Sequence, residues 1–220
     1  MRSIDAVITW VDGSEENYKK KIEKHLTTST NYKRQYLQAN EIEYCVKSIL
    51  KFAPFVRRIF IVTDNQKPSF KNLEDLIVSN KVKIVDHKEI FKGYEKYLPT
   101  FNIRSIDAML HRIEDLSEKF VYFNDDVFLI NNIREEDWFL ENKGVLMGNW
   151  AKSYSINPLK VLSGKFKKIF GLRPSFNASQ SKAANISGFK KEYFKSYHTA
   201  RPQIKSLIKE FYRKNPESLI

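Results

Sequence analysis

Short apolar runs alternate with amphipathic helical segments along the first 126 residues of this chain. Four runs have the length of strands, and they cover residues 4–10, 58–63, 82–85 and 120–123. Continuous apolar runs of this kind are typical of strands that are buried on both faces of a sheet. Between them, residues 41–52 and 103–116 carry apolar side chains at helical spacing. The alternation predicts an α/β fold, with a mostly parallel sheet flanked by helices.

The later part of the chain lacks this rhythm. Residues 150–190 are rich in Ser, Asn, Lys and Gly, which predicts irregular structure or a helical insertion over the sheet. Residues 203–213 return to helical spacing, and Pro202 stands at a favourable helix start. We therefore expect one domain over all 220 residues, with an α/β core over 1–149 and a helical or irregular cover over 150–220.

The single cysteine, Cys45, excludes a disulfide framework and a cysteine-cluster zinc site, since both need several thiols. Its position on the apolar face of the segment 41–52 predicts a packing role. No apolar run reaches the roughly 18 to 20 residues of a membrane helix, and the first residues do not resemble a signal peptide. We expect a cytoplasmic protein.

The formal net charge is +12, from 38 Lys and Arg against 26 Asp and Glu, and it favours an anionic partner. Nucleic acid, an acidic lipid surface and a phosphorylated substrate all fit this charge. The basic residues form several short clusters, such as Lys19-Lys20-Lys21, most of which we interpret as solvated faces. None is a dense basic arm with interleaved aromatics, so we predict no nucleic-acid partner. Because of this charge, we also expect peripheral association with the acidic inner face of a membrane.

Carboxylates follow three of the predicted strands. Asp12 follows the first run, Asp64 the second, and Asp125 with Asp126 the last. Ligands of open parallel sheets bind outside the carboxyl ends of the strands, so we expect these acids to converge on a substrate. Adjacent carboxylates repel each other unless a cation compensates, and Mg²⁺ or Mn²⁺ held by them bridges a diphosphate. The alternative for Asp125 and Asp126 is a solvated turn, but apolar segments flank the pair on both sides.

Histidine and arginine supply further candidates. Arg104 and His111 are two helical turns apart, which predicts one helix face that could bind an anion. His198 and Arg201 precede the last predicted helix, where the histidine could act as a general base and the arginine could bind a phosphate. The other two histidines are assigned structural or surface roles, and they are His25 and His87. Neither G-x-G-x-x-G nor G-x-x-x-x-G-K-[ST] occurs, which disfavours nicotinamide and P-loop enzymes.

Several blocks together resemble the Stealth family, which includes bacterial capsular polysaccharide phosphotransferases and the lysosomal-enzyme GlcNAc-1-phosphotransferase. The blocks stand in the family's order, with a weaker match at 197–202, and they are residues 4–13, 44–66, 98–102 and 123–126. The resemblance implies a GT-A-like (Rossmann-like) nucleotide-sugar-binding core. It also implies an enzyme that moves a hexose-1-phosphate from a UDP-linked sugar to a glycan hydroxyl, making phosphodiester-linked capsular or surface polysaccharide.

The resemblance also implies roles for individual residues. Asp12 matches a family acid near the donor, and His198 matches the histidine that is the expected catalytic base. Asp125 and Asp126 match the Asn-Asp-Asp block associated with the divalent metal and the diphosphate. We count these four as catalytic, with Asp125 and Asp126 as the ligands of Mg²⁺ or Mn²⁺. The expected substrate-binding residues include the donor-side segment, and they are Asp64, Asn102, Arg104, His111 and Arg201.

This chain departs from the family in three ways. At 198–202 it has His-Thr-Ala-Arg-Pro, where the family usually places proline two residues after the histidine. Asn40-Glu-Ile-Glu43 stands where the family more often has Asp-Glu-Leu-Arg. The family's fourth block, with its arginine, would lie beyond Ile220, so the resemblance implies the fold more strongly than the activity. Two alternatives therefore remain open. One is a Leloir glycosyltransferase of GT-A type, and the other is a non-catalytic nucleotide-sugar-binding subunit.

Overall fold

The computed structural model of the chain describes residues 3–25, 39–170 and 175–216. Its contacts divide the chain into two compact units. We call Met1–Val145 with Ala200–Ile220 the core unit, and Leu146–Thr199 the insert unit. The end of the chain, predicted as part of the cover, therefore belongs to the core unit.

The strands, in chain order, are β1 (Ile4–Thr9), β2 (Ile59–Thr63), β3 (Val82–Asp86), β4 (Lys119–Asn124), β5 (Phe139–Leu140), β6 (Lys143–Gly144), β7 (Gly148–Lys152), β8 (Glu192–Ser196) and β9 (Arg201–Ile204). The helices are α1 (Glu16–His25), α2 (Glu41–Phe52), α3 (Leu73–Val78), α4 (His87–Ile90), α5 (Ile103–Met109), α6 (Glu135–Trp138), α7 (Pro158–Ile169), α8 (Phe176–Ile186) and α9 (Lys205–Lys214). Short 3-10 turns cover Glu95–Tyr97, Leu110–Arg112 and Tyr154–Ile156. Across the described residues we find no helix whose length and apolar character would let it cross a membrane.

The central sheet of the core unit has the strand order β3-β2-β1-β4-β9. The first four strands are parallel, and β9 runs antiparallel to β4. The four strands that the sequence predicts are therefore confirmed, as is the mostly parallel α/β fold. From β1 the chain builds outward through β2 and β3, then returns to place β4 on the other side of β1. This reversal of direction is the topological switch point at which α/β sheets bind ligands.

Helices cover both faces of the sheet. On one face, α2 packs its apolar side chains against the even-numbered residues of β1, and these helix residues are Ile42, Cys45, Val46 and Ile49. The other face is covered by residues of α4 and α5, among them Ile90, Ile106 and Met109. Burial on both faces explains why the strands read as continuous apolar runs. Cys45 is fully buried, which confirms its packing role.

A buried ion pair fixes the amino end of β1. Asp5 is fully buried, and its carboxylate accepts hydrogen bonds from Arg57 Nε at 2.9 Å and Arg57 Nη2 at 2.7 Å. The backbone N–H of Ser117 donates to the same carboxylate at 2.7 Å. Because the Arg57 guanidinium and a backbone N–H both donate to this buried carboxylate, Asp5 has a structural role. It lies at the end of the sheet opposite to the candidate site.

The predicted helix over 203–213 begins later than the sequence indicates. Residues 201–204 form β9, and α9 begins only at Lys205. Pro202 lies opposite Val121 of β4, on an edge strand where its missing N–H is tolerated. The prediction of Pro202 as a helix start is therefore wrong, because pairing with β4 decides the conformation there.

The insert unit contains regular structure where the sequence predicts an irregular or helical segment. β7 and β8 form an antiparallel pair, in which the Trp150 and Phe194 rings lie 5.6 Å apart. α8 packs on β8, and the hydroxyls of Ser153 and Ser181, both buried, are 3.0 Å apart. The two helices agree with the prediction of a helical insertion, whereas the two strands were not predicted.

Candidate active site

The predicted acids follow neighbouring strands of the core unit. β1 lies between β2 and β4, and Thr9 at its end is opposite Val62 on one side and Asn124 on the other. Asp12, Asp64 and Asp125 come shortly after these three strand ends. The expectation that these segments are neighbours at one edge of the sheet is confirmed, and this edge contains the switch point beside β1.

The loop that carries Asp12 is held by Gln66, a residue that the sequence analysis missed. The N–H of Asp12 donates to Gln66 Oε1 at 3.0 Å, and Gln66 Nε2 donates to the carbonyl of Asp12 at 2.9 Å. The carboxylate Oδ1 of Asp12 accepts from the N–H and hydroxyl of Ser14, at 2.7 and 2.6 Å. The two loops after β1 and β2 therefore form one connected support for the Asp12 carboxylate.

Asp64 lies in an ion pair. Lys21 Nζ is 2.8 Å from Asp64 Oδ2, and the Asp64 side chain is only 13% exposed. Lys21 belongs to the basic run that we interpreted as a solvated face, so that interpretation is wrong for this lysine. Its pairing with Asp64 depends on a contact between distant segments, which local spacing does not reveal.

His87 lies beside this pair and is almost fully buried. Burial lowers the pKa of His87, while the charges of Asp64 and Asp86 act in the opposite direction. Among the residues that the structure describes, its Nδ1 atom has no hydrogen-bond partner. A buried histidine of depressed pKa agrees with the structural role that the sequence analysis assigned to it.

Asp125 and Asp126 form the turn directly after β4. Asp125 is half-buried and Asp126 is exposed, and the N–H of Val127 closes the turn on the carbonyl of Asn124 at 3.2 Å. Burial raises the pKa of the Cys45 thiol, and the nearby charges of Asp125 and Asp126 raise it further. The two carboxylates therefore add negative charge at the end of the strand next to β1.

The residues at this turn fit a divalent cation of the magnesium type. Within residues 3–25, 39–170 and 175–216, no group of three or more His, Cys, Asp or Glu side chains is placed to hold a metal ion. Mg²⁺ does not need such a cage, because it commonly binds one or two carboxylates and takes its remaining ligands from water and substrate phosphates. The adjacent pair Asp125 and Asp126 meets that smaller requirement.

A second polar cluster joins β1, β4, α5 and β9 inside the core unit. The hydroxyls of Thr9 and Tyr122 are 2.9 Å apart, and the Arg201 guanidinium lies 4.6 Å from the centre of the Tyr122 ring. Arg201 Nη2 is 3.8 Å from Asp107 Oδ2. The predicted substrate-binding residue Arg201 is therefore engaged with an acid and an aromatic ring.

Burial raises the pKa of Asp107 to about 6, against the opposing charge of Arg201 and a hydrogen bond with Tyr122. Burial also raises the pKa of Tyr122, and the charge of Asp107 adds to this effect. Sequence reasoning missed Asp107, although it follows Arg104 by three positions on the same predicted helix. Carboxyl groups whose pKa is raised by burial are common at functional sites, and Asp107 on α5 is such a group.

The donor-side residues lie at the start of α5 and in the turn that follows it. Asn102 caps α5, since its Oδ1 accepts from the N–H of Arg104 at 3.2 Å. α5 ends at Met109, and His111 lies in the following 3-10 turn, so the two residues do not belong to one α-helix. The anion-binding face that the sequence predicts for Arg104 and His111 stays a prediction.

His111 makes contacts of its own within the core unit. Its Nδ1 lies 2.8 Å from the carbonyl oxygen of Ala108, and its ring stacks on Tyr212 at 5.9 Å. The pKa of His111 is lowered by burial, and the charges of nearby basic residues lower it as well. Arg104, by contrast, is exposed. The substrate-binding roles that the resemblance implies for these two residues stay predictions.

His198 belongs to the insert unit, whereas Asp12 and Asp125 belong to the core unit. It lies on a loop, as predicted, but that loop leads into β9 and not into a helix. Its role as a general base stays a prediction.

Relatives with similar sequences are bacterial phosphotransferases. The capsular polysaccharide phosphotransferase fcs1 of Haemophilus influenzae is 44% identical over 145 residues, covering 63% of this chain and 38% of the relative. The capsular polysaccharide phosphotransferase cps1A of Actinobacillus pleuropneumoniae is 40% identical, covering 64% and 39%. The receptor polysaccharide phosphotransferase WefC of Streptococcus oralis is 36% identical, covering 76% and 50%. The chain thus spans 38% to 50% of the length of these relatives.

A solved structure, 4-diphosphocytidyl-2C-methyl-D-erythritol synthase of Anaerococcus prevotii DSM 20548, matches the whole chain and 77% of its own length. Its TM-score is 0.37 and its sequence identity is 13%, a level from which we draw no conclusion. The sequence itself matches the profile of Stealth protein CR2, conserved region 2, over residues 35–147. Because this match covers more than half of the chain, the chain belongs to the Stealth family.

Proposed function

We propose that this chain carries the core of a sugar-phosphate transferase, which moves a hexose-1-phosphate from a nucleotide sugar to a glycan hydroxyl. The product would be a phosphodiester-linked capsular or surface polysaccharide. The main support is the set of carboxylates after neighbouring parallel strands, at the switch point beside β1. Relatives named as polysaccharide phosphotransferases support the same reaction class.

In this proposal, Asp125 and Asp126 would hold Mg²⁺ or Mn²⁺ at the diphosphate of a UDP-linked donor. The ion would supply positive charge to the diphosphate as the phosphodiester forms. Asp12, held by Gln66 and Ser14, acts beside the donor. The residues that complete the donor side are Asp64, Asn102, Arg104, His111 and Arg201.

The acceptor hydroxyl must lose its proton as its oxygen bonds to phosphorus. His198 takes this proton in our proposal, because neutral imidazole is a suitable acceptor near pH 7. The acceptor oxygen bonds to the phosphorus that carries the sugar. The bond from this phosphorus to the bridging oxygen of the diphosphate breaks, and a nucleoside monophosphate leaves.

The released nucleotide tests the reaction. The protein is incubated with a panel of nucleotide sugars, Mg²⁺ and candidate acceptors, and the released nucleotide is identified. A monophosphate supports sugar-phosphate transfer, whereas a diphosphate would indicate a Leloir glycosyltransferase. Donor binding without release would indicate a non-catalytic nucleotide-sugar-binding subunit.

We also propose a cytoplasmic location with peripheral contact to an acidic membrane. The support is the formal charge of +12, which favours anionic surfaces.

A further inference from the structure

Most of the net positive charge of the chain belongs to the insert unit. Its 54 residues, 146–199, contain ten Lys and Arg and a single acid, Glu192, which gives +9 of the formal +12. No acidic residue occurs between Glu141 and Glu192. The core unit carries the remaining +3 and has its acids at the candidate site. The two units therefore differ in the kind of surface they would attract.

Helix α7 has an apolar face that is open to solvent. Leu159, Leu162, Phe166 and Ile169 follow the spacing of one helix face, and they are 78%, 66%, 60% and 78% exposed. Every described side chain of α7 is exposed. The helix has four lysines and no acid, at positions 160, 165, 167 and 168. It is thus an amphipathic basic helix.

Such a helix needs a partner in order to be stable. A helix of 12 residues is marginal in water, since most helical stability in proteins comes from packing of the apolar face. α7 contacts the turn Tyr154–Ile156, where Lys160 Nζ lies 4.2 Å from the centre of the Tyr154 ring. This contact uses a lysine and leaves the face of Leu159, Leu162, Phe166 and Ile169 open.

We propose that α7 lies in the interface of an anionic lipid bilayer, with this apolar face toward the acyl chains and Lys160 and Lys165 toward the headgroups. A helix with Leu and Phe on one face and Lys on the other is typical of interfacial membrane binding. Its apolar side chains offer no hydrogen bonds to a glycan. A second copy would bring an insert unit of +9 against another of +9, which disfavours self-association. The surface deepens the proposed membrane contact and does not depend on the transfer reaction.

The test is sedimentation of the full 220-residue chain with lipid vesicles. We compare phosphatidylcholine vesicles with vesicles that contain about 30% phosphatidylglycerol, because basic segments respond to anionic headgroups. The expected result is binding to the anionic vesicles, which falls as salt rises. Replacing two residues of the apolar face, Leu162→Glu with Phe166→Glu, should weaken this binding by about tenfold or more.

A matched control introduces the same charge on the core unit. Val78 and Ile130 are 86% and 81% exposed, so Val78→Glu with Ile130→Glu makes an equal change outside α7. This control should bind anionic vesicles as the unchanged protein does. A second variant, Lys160→Gln with Lys165→Gln, keeps the apolar face intact and should lose the preference for anionic vesicles. It keeps the test decisive if the glutamate variant fails to fold, as seen by circular dichroism.

The proposal fails if the unchanged protein does not bind anionic vesicles, or if the α7 variants bind them as well as the control does. It also fails if ultracentrifugation shows a dimer that the α7 variant separates, since the face would then be covered by a second copy. Nucleotide release with a soluble acceptor is measured in parallel. Vesicle binding without release would count against the transferase and leave the membrane surface supported.

Discussion

The side chain of Gln66 pairs with the backbone of Asp12 in both directions, accepting from its N–H at 3.0 Å and donating to its carbonyl at 2.9 Å. Gln66 is buried, and its Nε2 also donates to Glu15 Oε2 at 2.6 Å. The backbone of Asp12 is thus held by a residue more than 50 positions away in sequence, while its carboxylate accepts from Ser14. This contact connects the loops after β1 and β2 at the candidate site.

We expect Gln66→Leu to destabilise the protein by about 1 to 3 kcal/mol, because it leaves polar backbone atoms of Asp12 without their partners. Hydrogen exchange at the Asp12 amide should become faster, and urea unfolding should give the loss of stability. Gln203→Leu, on the edge strand β9, is the matched change outside this loop and should leave exchange at Asp12 as it was. Unchanged exchange at Asp12 in Gln66→Leu would show that the loop is held by other contacts.

We expect the free energy of unfolding to depend on pH through Asp107. Its pKa is raised by burial from 3.8 to about 6, so the folded state favours the protonated acid. The stability that this group contributes is therefore complete below about pH 4 and is lost as pH rises through about 6. Asp107→Asn resembles the protonated form, so the variant should gain stability relative to the unchanged protein between pH 4 and pH 7.

We expect a relative gain of about 1 kcal/mol for Asp107→Asn, after a discount for the partial exposure of the side chain. The measurement is urea unfolding of both proteins at several pH values. Glu114→Gln, an exposed carboxylate change nearby, should show no such trend. A stability difference that stays flat for Asp107→Asn from pH 4 to pH 7 would contradict the raised pKa.

Strands β1 to β4 and helix α2 were predictable because burial on both faces of the sheet, or on one helix face, leaves a local pattern. β9 was not, since its four residues with a proline become a strand only by pairing with β4. The end of α5 at Met109, inside the segment 103–116 that carries helical spacing, was not predicted either. The acids of the site could be found from their positions after strands, through the rule for parallel sheets.

The partners of these acids could not be predicted in the same way. Gln66 with Asp12, and Lys21 with Asp64, join segments that are separated by more than 40 residues. Such pairs depend on the register of the strands and the path of the loops. Neither of these produces a pattern among neighbouring residues of the sequence. Asp107 and Tyr122 meet for the same reason, because α5 packs beside β4 only in the folded chain.

Asp125 and Asp126 should determine the binding of a divalent cation with the donor. Each of Asp125→Asn and Asp126→Asn removes a charge that Mg²⁺ would use, and as turn residues they contribute little to the core. We expect each variant to lose the Mg²⁺-dependent part of nucleotide-sugar affinity in calorimetry, with unfolding unchanged within about 0.5 kcal/mol. Asp75→Asn, on α3, is the control. Full Mg²⁺ dependence in both variants would move the metal site elsewhere.

The last prediction concerns His198 as the general base. Loss of a base that accepts the acceptor proton costs about 10²-fold or more in turnover, and it does not remove contacts to the donor. We therefore expect His198→Ala to lower kcat by at least about 10²-fold while donor affinity stays nearly unchanged. His25→Ala, on the exposed end of α1, is the matched control and should keep normal turnover. Both quantities are measured on the same preparation. Normal turnover in His198→Ala would show that the histidine is structural, and loss of donor binding would assign it to the nucleotide side of the site.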